Sequence, residues 1–262
     1  MKGTQTRQAS GQSPSGALVA LWWAPLDLEP DDLDRLTSSL SAEEQGRARR
    51  YRRPVDADHY RAGRGWLRQL LGAELGCSAA EVEIASGEHG KPSAPGSDLR
   101  FNASHSGALF VIATSWEVEV GVDVEVIRPN AEVDRIAKRF FSVNERRALA
   151  ALPDGPRLVG SFECWTRKEA YLKGVGVGLR VPLEDVDVWG GPSTTTVLDG
   201  WRIHSFVPQN GYAAAVAGQR TDDWAAPDPR PIGSPGVERS ADSIGHRGPL
   251  GGWRFPPREN AN

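Results

Sequence analysis

The sequence predicts a mixed α+β protein, with helices and short antiparallel strands grouped in blocks rather than strictly alternating. Three observations support this. Capping-box spacings mark helix starts at Ser41–Glu44 and Ser142–Glu145. In the run Val118–Ile127, Val118, Val120, Val122, Val124 and Val126 alternate with Glu119, Gly121, Asp123, Glu125 and Ile127, which is the period of a strand. The order helices-then-strands occurs twice along the chain, which points to two similar halves. With 262 residues, 39% of them hydrophobic and 25% charged, the chain is large enough to bury a core in one large or two small domains.

Residues 1–16 are polar and rich in Gly and Ser, and are expected to be disordered. Ala17–Ala24 (ALVALWWA) follows Lys2 and Arg7, but it is short and runs into Pro25-Leu26-Asp27 without a small-residue cleavage site, so it reads as a buried first strand rather than a signal peptide. Pro30-Asp31-Asp32 opens a short helix with acids in its first turn, and Ser41 opens a second. After Pro54 comes a long amphipathic helix whose stripe is Tyr60, Gly63, Leu67, Leu70, Leu71 and Leu75, ending at Gly76. Strands are expected at Val82–Ile84, Leu99–Ser104, Leu109–Thr114 and Val118–Ile127. Helices are expected near Val133–Phe141 and Ser142–Leu152, and from Arg157 to Lys173 beyond the break at Pro153–Pro156. Gly174, Gly176 and Gly178 make a flexible exit, and strands near Leu183–Trp189, Trp201–Val207 and Tyr212–Ala217 close the pattern. Beyond Gly218 the chain is rich in Pro, Gly, Arg and Asp without periodicity and reads as a disordered tail.

Composition narrows function. A net charge of −3 argues against a general nucleic-acid binder, and no run approaches the roughly 20 apolar residues of a membrane helix. Cys77 and Cys164 lie far apart without metal-ligand spacing, as in a reduced, cytoplasmic protein. Arg47, Arg49, Arg50, Arg52, Arg53, Arg61, Arg64 and Arg68 form a local cationic cluster. It reads either as a solvated helix face or as a site for a small polyanion such as a nucleotide phosphate.

Four short segments carry the candidate chemistry. A strand places Asp123 and Glu125 on one face, about 6–7 Å apart along the backbone, where they either are solvated acids or converge on a hard cation. Glu169 and Lys173, in Trp165-Thr166-Arg167-Lys168-Glu169-Ala170-Tyr171-Leu172-Lys173, share a helix face as an ordinary ion pair, or as a third carboxylate and a phosphate-facing lysine. Phe101-Asn102-Ala103-Ser104-His105-Ser106-Gly107 ends a strand in small polar residues; Ser104 and His105 point to opposite faces, which discounts a Ser–His dyad. His89-Gly90-Lys91-Pro92 is a turn whose glycine permits close backbone approach and whose lysine can reach an anion.

In order, the motifs G-K-P, F-N-x-S-H-S, G-V-D-V-E, F-F-S-x-x-E and W-x-x-K-E-A-x-x-K resemble the 4′-phosphopantetheinyl transferase superfamily, Sfp-type, over about Leu18–Ala217. The resemblance implies a pseudo-twofold duplication of two similar α/β halves, each a small antiparallel sheet packed on helices, with the active site in the cleft between them. The halves would be 17–117, binding coenzyme A, and 118–218, binding Mg²⁺ and catalytic, with a tail over 219–262. It implies Asp123, Glu125 and Glu169 as Mg²⁺ ligands, Glu125 directly or through water, and Asp123, Glu169 and Lys173 as catalytic residues. It also implies coenzyme A contacts from Arg47, Gly90, Lys91, Pro92, Asn102, Ser104, His105 and Lys168. Whether Glu169 is ligand, base or both stays open, as does the part played by Arg50, Arg61 and Arg64. The implied partner is an acidic apo acyl or peptidyl carrier protein, served by a cytoplasmic monomer that binds neither nucleic acid nor membrane. Phe140 and Phe141 read either as its docking site or as core. Two rivals are a non-catalytic binder of coenzyme A or carrier protein and an unrelated metal-dependent phosphohydrolase.

Overall fold

Each of the two longest helices lies against one four-stranded sheet, and a third core fills the space where the sheets meet. The computed structural model describes residues 18–87, 90–129, 133–176, 182–191, 195–219 and 224–232; the expectations for residues 1–16, His89, Gly178 and 233–262 lie outside these. The first part of the chain runs β1 (Ala20–Pro25), α1 (Pro30–Thr37), α2 (Ala42–Ala48), α3 (Pro54–Leu75), β2 (Ala85–Ser86), β3 (Pro92–Ser93), β4 (Arg100–Ser106) and β5 (Leu109–Ser115). The second runs β6 (Val120–Val126), α4 (Val133–Phe140), α5 (Val143–Ala150), α6 (Asp154–Val175), β7 (Thr195–Leu198), β8 (Trp201–Phe206) and β9 (Tyr212–Gln219), before β10 (Pro229–Pro231) returns to the first sheet.

The helix signals read from the sequence act as expected. Ser41 and Ser142 each accept from the backbone N–H three residues on, and Glu44 and Glu145 reach back to complete both capping boxes. α3 begins with Pro54 in its first turn and stops at Gly76, which takes a left-handed conformation at φ 69°. α6 begins at Asp154, three residues before the expected start, because Pro156 falls in the first turn, where a missing N–H has no intrahelical partner to lose.

Sheet order is β10-β1-β5-β4 in the first half and β6-β9-β8-β7 in the second. All pairs are antiparallel except β1 with β10. β5 shows how the layers are built: Phe110 and Ile112 point into the core beneath α3, whereas Leu109, Val111 and Ala113 point into the inter-sheet core. β6 does the same. Val120, Val122 and Val124 join that inter-sheet core, while Gly121, Asp123 and Glu125 lie on the α6 side.

Three expectations need correction. The expected strand Leu183–Trp189 is one 3₁₀ turn, Leu183–Asp185, followed by irregular chain. Its polar backbone groups bond buried side chains instead of a neighbouring strand. Lys168 donates to Leu183 O (2.8 Å) and to Val186 O, and Val188 N donates to Glu145 (2.8 Å). Val82–Ile84 is likewise irregular, and Arg68 caps Val82 O at 2.9 Å. The tail is not structureless from residue 219. Trp224 is buried against Gly218 and Val19, β10 adds a parallel strand to β1, and Ile232 enters the core beneath α3. Apolar periodicity missed it because one aromatic anchor and three paired residues suffice to fix it.

α6 meets β6 at two glycines. A Cβ on Gly121 would overlap Ala170 O and Gly174 N, and one on Gly174 would overlap the Trp201 ring. Gly121→Ala should therefore lower stability by about 3 kcal/mol or more, read by chemical denaturation, because backbone rather than a flexible side chain has to move. Trp224→Ala should cost about 3–5 kcal/mol in the same measurement, since the ring fills the inter-sheet core.

Candidate active site

The edges of the two sheets, β4 and β6, lie side by side and are joined through side chains. Alternate residues of β4 supply them. Asn102 Oδ1 accepts from Val122 N (2.9 Å), and Ser104 Oγ donates to Asp123 Oδ1 (2.8 Å). Ser106 Oγ accepts from Val126 N (3.1 Å) and donates to Glu125 Oε2 (2.7 Å). Short polar residues are needed because a longer chain would hold the edges apart, and an apolar one would leave buried amides without partners.

α6 packs over the same stretch of β6 and brings Glu169 and Lys173 to it. Lys173 Nζ bonds Asp123 Oδ1 (2.7 Å) and Ser104 Oγ (2.9 Å), which ties both halves to one ammonium. Asp123 is 4% exposed, and its second oxygen, Oδ2, is buried without a hydrogen-bond partner. Burial raises the Glu169 carboxyl above its ordinary value and the Asp123 charge adds to this, with Lys173 opposing. Burial also raises Glu125, against the pull of the Ser106 hydrogen bond, and Asp123 raises it further. The three acids thus crowd around one ammonium, Lys173, with Arg128 also opposing the rise at Glu125. Among the described residues, no three His, Cys, Asp or Glu side chains are already gathered as a metal-binding group.

A cavity of about 450 Å³ lies in the first half, and His105, in its wall, is the lining residue that feels the charges of Lys173 and Asp123. Arg47, Tyr51 and Tyr60 line it together with Asn102 and His105. The Arg47 guanidinium lies 5.2 Å over the Tyr60 ring, whose centre is 5.4 Å from that of Tyr51. The cationic cluster sorts itself by partner. Arg64 and Arg68 bond Glu44 at 2.6 Å each, Arg61 bonds Asp34 and Asp58, and Arg53 bonds Asp56. Arg47 alone both lines this cavity and has no carboxylate partner among the described residues. Burial, then the charges of Lys173 and His59, hold the His105 imidazole below its ordinary pKa, so it is neutral at neutral pH.

The structure gathers Asp123, Glu125, Glu169 and Lys173 between β6 and α6 with Ser104 bonded to them, lines the cavity with Arg47, Pro92, Asn102 and His105, and commits two lysines elsewhere. Lys168 is fully buried in the second half, salt-bridged to Glu145 at 2.8 Å, so it serves the packing of that half and not a substrate. Lys91 directs its ammonium to Glu119 (2.7 Å) and Gly174 O (2.6 Å), pinning the turn at Gly90 (φ 80°) to the end of α6. Asn102 and Ser104 act across the seam rather than only toward the cavity. Phe141 is core at 1% exposure, whereas Phe140 is half-buried on Trp165 under Arg139.

Sequence reasoning missed three contributors: Tyr51 and Tyr60, Ser106 as a partner of Glu125, and an apolar groove of about 290 Å³. Glu125, Phe141, Phe162 and Trp165 are among the groove's lining residues. The 102–104–106 alternation was the available signal for Ser106. No helix among the described residues is long and apolar enough to cross a membrane.

Comparison with known proteins accords with this geometry. Residues 119–217 match the family model described as the 4′-phosphopantetheinyl transferase superfamily, and residues 22–117 match that of the 4′-phosphopantetheinyl transferase N-terminal region. The chain is 36% identical over 206 residues to 4′-phosphopantetheinyl transferase HetI of Nostoc sp., covering 76% of this chain and 86% of that protein. It is 30% identical over 162 residues to 4′-phosphopantetheinyl transferase Sfp of Bacillus subtilis, covering 62% and 71% respectively. To 4′-phosphopantetheinyl transferase AcpT of Escherichia coli it is 45% identical over 92 residues, or 35% and 47%. With both halves of the cleft matched in order, the chain belongs to the 4′-phosphopantetheinyl transferase superfamily.

Proposed function

We propose that this protein transfers the 4′-phosphopantetheine arm of coenzyme A to a serine of an apo carrier protein, releasing adenosine 3′,5′-bisphosphate. The observation that carries this reading is the buried, unpartnered Asp123 Oδ2, set among Glu125, Glu169 and Lys173, with His105 linking these charges to a nucleotide-sized cavity in whose wall it stands. An orphaned carboxylate oxygen with two further acids nearby fits a hard divalent cation, so Asp123, Glu125 and Glu169 are the residues that would hold Mg²⁺. When bound, Mg²⁺ offsets charge on the diphosphate.

The chain's own residues account for the rest. Arg47, free of carboxylates, meets the 3′-phosphate end of the nucleotide, and Tyr51 and Tyr60 border the same end. His105, neutral and at the mouth of the cleft, offers one N–H to a diphosphate oxygen. Lys173 exchanges part of its bond to Asp123 for the transferring phosphoryl group. The carrier serine oxygen bonds to the β-phosphorus, the bond from that phosphorus to the oxygen of the nucleotide leaving group breaks, and the serine proton passes to Glu169. The groove at Phe162 and Trp165 continues from Glu125 along α6, next to Phe140, and receives the carrier. The carrier is an acidic acyl or peptidyl domain of fatty-acid, polyketide or nonribosomal-peptide synthesis, and the enzyme works as a cytoplasmic monomer.

The test is incubation with coenzyme A, Mg²⁺ and apo carrier proteins, followed by mass spectrometry. A gain of one phosphopantetheine arm is expected, and Asp123→Ala should abolish it. No gain on any carrier, or phosphate release without transfer, would reject the reading; full activity in Asp123→Ala would reject the ligand assignment. Glu169 gives a second prediction. Its folded pKa lies above its unfolded one, so in that window the native state holds more protons and stability falls as pH rises. Glu169→Gln should therefore raise the Tm of the metal-free protein at pH 7.5, with the gain vanishing below the ordinary glutamate pKa. Transfer should drop by about 100-fold or more.

A further inference from the structure

Ser106 commits its only hydroxyl proton and one of its lone pairs to β6. It is 7% exposed, its oxygen accepts the backbone N–H of Val126 at 3.1 Å, and its single proton goes to Glu125 Oε2 at 2.7 Å. A hydroxyl has only one proton, so its contact with a carboxylate acceptor fixes where that proton points. The acceptor role toward Val126 N fixes the oxygen itself, because β4 and β6 are held side by side by the parallel contact of Asn102 with Val122 N. Ser106 is thus a rigid donor aimed from one half of the molecule at an acid of the other.

Glu125 has reason to need such a partner. It stands at the junction of two regions, beside Asp123 in the acid cluster and on the wall of the apolar groove formed with Val126, Phe162 and Trp165. A flexible glutamate there has rotamers leading either to the acids or along the groove. Two neighbouring carboxylates repel each other, and the 2.7 Å bond from Ser106 anchors Glu125 against that repulsion. The geometry points to Ser106 as a positioning residue: it holds Glu125 in the orientation needed to bind the divalent cation, and it does so through one oxygen, leaving Oε1 for the ion. This rests on the assignment of Glu125 as a metal ligand made above.

The test is calorimetric titration of the full-length, coenzyme A-free protein with Mn²⁺ or Mg²⁺ alone, on wild type, Ser106→Ala, Glu125→Gln and the double variant. Ser106→Ala should weaken binding by about 10- to 100-fold, as loss of a ligand's hydrogen-bond partner does. In the Glu125→Gln background the same change should have little further effect, because the two residues act as a unit. Ser106→Thr, which keeps the hydroxyl, should restore affinity. A purely structural seam residue would give additive losses in the cycle, and that outcome, or an unchanged affinity in Ser106→Ala, overturns the inference. If Ser106→Ala does not fold, Ser106→Cys, a weak donor of similar size, replaces it in the same cycle. Wild-type protein that binds neither ion refutes the metal assignment itself, a failure separate from that of the Ser106 role.

Discussion

Two sheet edges that never exchange a backbone ladder are nonetheless held together along β4 and β6, and the remainder of the molecule is arranged to make that possible. An ordinary ladder would make one continuous sheet, with no side chain entering between the two strands. Bonding through Asn102, Ser104 and Ser106 sets the strands slightly apart and lets side chains of one half control acids of the other. α6 presses on the opposite side of β6, at glycines that allow its backbone to approach, and Lys173 crosses to Ser104. The inter-sheet core of valines and alanines behind β6 gives the seam its rigidity.

Electrostatic cost is concentrated at this seam. Glu125 and Glu169 are both raised by burial and by Asp123, and Asp123 keeps an oxygen without a partner. Two sets of buried charges elsewhere are matched. Glu145 with Lys168, and Glu44 with Arg64 and Arg68, each have hydrogen bonds to complete them. The contrast separates charged residues that organise the fold from those left with unmet demand, and the latter are where a ligand has something to gain.

Much of this was legible from residue pattern, and what was not has physical causes. The capping boxes, the long helix closing at Gly76 and the valine alternation in β6 are local signals, and local structure follows them. Segments 82–84 and 183–189 have strand-like composition, but buried Arg68 and Lys168 take their carbonyls, a tertiary fact no local pattern contains. Lys168 illustrates the same limit within a motif: its neighbour Glu169 faces the acids, while one step of helix, about 100°, turns Lys168 into the core. Among the arginines of 47–68, Arg61, Arg64 and Arg68 are taken by Asp34 and Glu44, carboxylates distant in sequence. β10 was missed because a three-residue strand held by one buried tryptophan leaves no periodicity to read.

The seam also bears on how the molecule behaves in company. A four-stranded sheet has two open edges, each a template for pairing with a second chain. Here β4 and β6 shield each other's edges, and the 102–104–106 side chains satisfy amides that would otherwise be available. Among the described residues, what remains open is β7, only four residues long, and β10, whose two prolines cannot donate to a ladder. An interface built to bring acids together therefore also removes the two longest edges from contact with other molecules, and protects against edge-to-edge aggregation without a dedicated device.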